Sequence, residues 1–112
     1  MQVVRDRADV AAIADAALRT LVEERVQALA DEYANLELHE LVTFVIVEAG
    51  DTLAAIDAQL GFSIVDALPE LVEQHGDYFE IVIVVSDDGY GVEVFVPINA
   101  DVPPELVALC TQ

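Results

Sequence analysis

Tyr78-Phe79-Glu80-Ile81-Val82-Ile83-Val84-Val85-Ser86-Asp87-Asp88-Gly89-Tyr90-Gly91-Val92-Glu93-Val94-Phe95-Val96-Pro97 is the stretch that decides the fold class. Two runs rich in β-branched and aromatic residues flank Asp88-Gly89, the dipeptide favoured in a two-residue type I′ turn. The reading is a hairpin over 79–97, with strands at 79–86 and 90–97. A two-residue turn sets Val85 opposite Val92, Ile83 opposite Val94 and Ile81 opposite Val96. Those residues share one face, because side chains alternate along a strand. Glu80, Val82, Val84, Glu93 and Phe95 take the other.

Outward from the hairpin, Asp101, Pro103 and Pro104 introduce a short terminal helix reaching about Leu109. Upstream, residues 38–48 carry the residues of another strand, with Leu41, Val45 and Val47 on one face and Val42, Phe44 and Ile46 on the other. Ala49-Gly50-Asp51-Thr52 is a turn. Asp51 or Thr52 caps a helix over 53–60 that stops at Gly61. A second short helix is expected from Asp66 or Leu68 to Gly76, with Pro69 in its first turn. Residues 6–34 contain no Gly or Pro and read as one long helix. Val10, Ile13, Leu18, Val22 and Val26 lie on its apolar stripe, and Asp15 and Arg19 sit at the spacing of a helical ion pair. Residues 1–5 are an optional edge strand.

The fold class is therefore α+β, in a single domain spanning 1–112. A long N-terminal helix packs on a small, mainly antiparallel sheet of three or more strands, with short helices between. Both faces of the strands are apolar, where a half-solvated antiparallel sheet would alternate apolar with polar. Both faces should be covered, one by the long helix and the other by the short helices or a second subunit. A homodimer is the expectation that follows.

Charge bounds the function. The 112 residues carry 22 acids against 4 basic side chains, a formal net charge of -18, with 55% hydrophobic residues to build a core. The basic residues are Arg5, Arg7, Arg19 and Arg25, so nothing after residue 25 is basic. Such a chain cannot neutralise phosphates, which excludes direct nucleic-acid binding and docking on an anionic membrane. It attracts basic proteins and cations. No apolar run approaches the roughly 20 residues of a membrane span. No leader pattern is present, and one cysteine, Cys110, forms no internal disulfide. The expected location is the cytoplasm.

The residues that carry chemistry are sparse. Ser86-Asp87-Asp88-Gly89 lacks the spacing and closing Glu of a calcium loop. His39 and His75 form no paired zinc motif, and zinc would need carboxylates or Cys110 from distant segments. His75 is read as a helix end beside Gly76. Cys110 has the wrong field for a reactive thiolate. Glu48, Glu80 and Glu93 interrupt apolar strands and are the acids to watch for a raised pKa. Neither a cofactor nor a metal cage nor an active site is expected. A pocket lined by Phe44, Tyr78, Phe79 and Phe95 would serve a small-ligand binder or a complex subunit.

The leading functional expectation is a non-enzymatic interaction module that binds a basic protein partner through surface acids. Glu37, Glu40, Asp57, Glu70, Glu73, Asp87, Asp88 and Glu93 are the residues nominated. In charge and size the chain resembles small anti-restriction and nuclease-inhibitor proteins, which implies a DNA mimic as the sharper form. The competing reading is adaptation to a saline cytoplasm, in which the charge carries no partner.

Overall fold

The computed structural model describes residues 1–87 and 89–111. The chain builds one five-stranded sheet with helices on both faces. Strand β1 is Gln2–Val4, and two helices follow, α1 (Arg7–Ala11) and α2 (Ala16–Glu32). Helix α3 (Leu38–Leu41) leads directly into β2 (Val42–Ile46). Helix α4 (Leu53–Leu60) and a 3-10 turn, Ile64–Asp66, precede a meander of β3 (Leu71–His75), β4 (Tyr78–Val84) and β5 (Gly91–Pro97). Helix α5 (Pro104–Cys110) comes last. The sheet order is β1-β2-β5-β4-β3, antiparallel throughout except for the parallel pair β2 and β5. It is thus mainly antiparallel, as expected, and residues 2–4 do form an edge strand.

Both faces are covered, each by part of this chain. Val4, Val22, Val26, Val42, Phe44, Ile46 and Phe95 pack with α1 and α2. Val45, Val47, Ile81, Ile83, Val92, Val94 and Val96 pack with Ile56 of α4, Ile64, and Leu106 and Leu109 of α5. The apolar faces that pointed to a second subunit are therefore occupied from within. Phe44 and Phe95 stack with ring centroids 6.4 Å apart and are fully buried. Phe79 lies on the other face, so the four aromatics nominated as a pocket do not line one cavity.

Five local expectations differ from the structure. The single helix over 6–34 is two helices, broken around buried Ile13. Asp15 does not pair with Arg19. Its carboxylate accepts from the Leu18 N–H (2.9 Å) and starts α2, while Arg19 donates to the Ile13 carbonyl (2.9 Å). Ile13 at the break is buried in the same core cluster as Val10 of α1 and Leu18, Val22 and Val26 of α2.

Residues 38–41 are helical rather than the start of a strand. Glu40 folds back to accept from the Glu37 N–H (2.7 Å), which closes the first turn. The helix expected over 66–76 is a 3-10 turn followed by β3. Leu71-Val72-Glu73-Gln74-His75 suits a helix locally, but the backbone of β4 claims it. Gly76, at φ +58, takes the first position of the tight turn between β3 and β4.

The main hairpin is displaced by two residues. Ile83 faces Val92 and Ile81 faces Val94. The loop is longer than two residues: Val85 N–H donates to Tyr90 O (2.8 Å) and Gly89 N–H to Ser86 O (3.1 Å). An even shift keeps every side chain on its expected face. The helix over 53–60 stands as read, with Thr52 accepting from the Ala55 N–H and Gly61 left-handed at φ +82.

Candidate functional site

The nominated acids do not form one surface. Glu37 and Glu40 are exposed at α3, at the end of the sheet where Val42 faces Gly91. Glu37 shares a groove with Arg7 and His39, so that corner is not free of cations. Glu70, Glu73 and Asp87 are exposed along β3 and at the tip of the β4–β5 loop. Asp57 is half-buried and has a structural task, accepting from the Ile64 N–H (3.0 Å) to pin the 3-10 turn on α4. Asp88 lies outside the described residues. Glu93 is no surface residue: it is buried on the α2 face of the sheet.

Strand β3 forms an outer edge, paired on one side only by β4. Beside it lie exposed apolar side chains that the sequence reading missed. Leu68 is 90% exposed, and Leu71, Val84 and Val85 are also exposed. Leu68, Val84 and Val85 share a shallow depression with Phe62 and Ile83. Leu68 shows in the sequence only as an apolar residue before Pro69, where β3 was read as a helix. Glu70 and Glu73 are exposed along the same strand edge, and Asp87 is exposed in the loop just beyond Val85.

The second feature lies under α2. Arg25 donates two hydrogen bonds to the fully buried Glu80, from Nε (3.1 Å) and Nη2 (2.9 Å). Its Nε is 3.8 Å from Glu93. His75 Nε2 lies 2.9 Å from Glu80 Oε1 and 3.3 Å from Glu73 Oε2. The strand register explains the gathering. Glu73 faces Glu80 directly, and Glu80 faces Phe95, one pleat from Glu93.

Glu80 and Glu93 hydrogen-bond each other, and their acidities diverge. Burial pushes Glu93 up to about 8, and the adjoining Glu80 carboxylate pushes it in the same direction. Burial opposes ionisation of Glu80 too, but hydrogen bonds from Arg25, Glu93 and His75 outweigh it and hold Glu80 at about 2. At neutral pH one proton sits on Glu93 and the negative charge on Glu80. This satisfies two buried acids with one cation, and among the described residues no buried side-chain polar atom lacks a partner. Two of the three strand acids watched for a raised pKa are thus buried, but only Glu93 is raised. Glu48 is exposed. Cys110 is buried in α5, and desolvation lifts its thiol to about 11.

Among the described residues no helix is long and apolar enough to cross a membrane. No family model, curated protein or solved structure matches the chain.

Proposed function

We propose that the chain is a non-enzymatic interaction module of the cytoplasm whose β3 side docks a basic protein partner. One observation carries the reading: exposed Leu68, Val84 and Val85 share a depression at an open strand edge on which Leu71 is also exposed, and exposed acids Glu70 and Asp87 lie next to them along the chain. Apolar anchors within a charged rim are the anatomy of a protein interface. The edge strand adds unpaired backbone groups that an extended segment can join. Glu70, Glu73 and Asp87 select for lysine and arginine. The apolar centre favours a protein surface over the DNA-mimic form, which needs carboxylates alone. A second copy of this chain would bring like charge to the same rim, which opposes a homodimer through this edge.

The alternative, charge as salt adaptation, draws on acids with local tasks. Asp15, Glu40 and Asp57 each bind a backbone N–H and owe nothing to a partner.

The test is retention of lysate proteins on the immobilised chain at low salt, with elution by a salt gradient. One basic protein should be held. Leu68→Ser with Val84→Ser should weaken retention about tenfold or more. Glu70→Gln with Asp87→Asn should move elution to lower salt. A DNA-binding identity for the retained protein would restore the mimic. Retention indifferent to both variant pairs would sink the reading, and a chain that unfolds in dilute buffer and recovers in concentrated salt would establish the adaptation.

A further inference from the structure

We propose that Glu73, His75 and Glu80 form a site for a divalent transition-metal cation of the zinc class. The three side chains share one face of the β3–β4 hairpin. Glu73 and His75 are two apart on β3, and Glu80 faces Glu73 across the ladder. One ligand atom from each lies within 4.8 Å of the other two, with His75 Nε2 at 2.9 Å and 3.3 Å from the two carboxylate oxygens. Ligands held about 2.0–2.2 Å from a tetrahedral ion stand roughly 3.3–3.6 Å apart. The two edges at His75 need to open by only a few tenths of an ångström, and the two carboxylate oxygens, within 4.8 Å of each other, close on the ion through rotation of the exposed Glu73 side chain.

The chemistry agrees with the geometry. One imidazole nitrogen and two carboxylates favour zinc-class ions over Mg2+ and Ca2+, which prefer oxygen alone. Glu80 is held rigid by the two Arg25 bonds, so a second shell already orients the buried ligand. Burial grades outward from Glu80 through His75 to the half-exposed Glu73, which leaves a position for water on the solvent side. A cleft of about 350 Å³ between the start of α2 and Gly76 opens onto His75 and supplies the entry path. Binding takes the place of a proton on Nε2, so the imidazole nitrogen binds the ion as a neutral ligand. The Arg25 guanidinium repels an arriving cation and weakens the site, while the chain's negative field favours its approach.

Calorimetric titration of the whole chain with ZnCl2 in excess Mg2+ tests the site, read beside long-range 1H–15N spectra of the imidazoles. One equivalent should bind, and the His75 Nε2 resonance should shift while His39 stays in place. His75→Asn and the exposed Glu73→Gln should each weaken binding about tenfold or more. Glu70→Gln and His39→Asn should change nothing. Zinc that Mg2+ displaces, that leaves His75 unshifted, or that binds Glu73→Gln as tightly as the parent would mean diffuse attraction to surface acids and would overturn the proposal. The spectra of the unaltered chain decide the matter even where a variant is poorly folded.

Discussion

Glu93 and Arg25 are the residues with the most at stake. The folded Glu93 holds its proton to about pH 8, and the unfolded one releases it near 4.5. Between those values the folded chain binds more protons, so stability falls as pH rises, by at most about 1.4 kcal/mol per unit. Glu80 contributes no slope in that window. Its folded value of about 2 lies below 4.5, so its contribution is complete above 4.5 and is lost only as pH falls toward 2. Urea unfolding of Glu93→Gln should therefore show a flatter profile from pH 5 to 8 than the parent, and parallel profiles would refute the shared proton. Arg25→Ala strands the Glu80 charge in the core. Breaking a buried pair costs about 3–5 kcal/mol, and partial exposure of Arg25 points to the lower end. Chemical denaturation measures it, and a loss below about 1 kcal/mol would mean that Glu80 is relieved by another route. None of this was legible in the sequence beyond the oddity of acids in apolar strands. Arg25 and Glu80 are 55 residues apart, and only the folded sheet brings them together.

Among the elements, the break before α2 gives the sharpest test. Were residues 6–34 one helix, Asp15→Ala would help it, since alanine is the better helix former. With Asp15 capping α2, the same change should cost about 1 kcal/mol. The sign alone, read from thermal or urea unfolding, separates the two structures. Gly61→Ala should cost about 1 kcal/mol through its left-handed backbone, because an added Cβ meets nothing within 4 Å. Helix α4 was legible because Thr52 and Gly61 are local punctuation that packing does not need to supply. Strand β3 was not. Its residues suit a helix locally, and the decision for a strand belongs to β4. The turn glycine Gly76 was in view, but it reads equally well as the end of a helix. The break at Ile13 carries no Gly or Pro, and its one local sign is an aspartate that also fits an uninterrupted helix.

For the molecule as a whole, the net charge of -18 works against the compact state. Added NaCl should raise the urea midpoint, most steeply at low ionic strength where the screening length is still long. A midpoint insensitive to salt would mean that the acids are too far apart to repel. The charge and its emptiness of cations were legible from the start, and so was an apolar sheet needing cover on both sides. The N-terminal helical segment was also legible as the cover of one face, but the choice between the short helices and a second subunit for the other was not, because helical stripes do not say whose strands they will meet. The parallel pair of β2 and β5 has a consequence for the making of the protein. Val42 waits for Gly91, and all five residues of β2 are buried once the two have met. A ribosome adding roughly 5–20 residues per second delivers β5 several seconds after β2. Through that interval β1 lies beside β2 and α1 and α2 can cover its Val42, Phe44 and Ile46 face, while its Val45 face and the edge that β5 will join stay open to the surroundings of the growing chain.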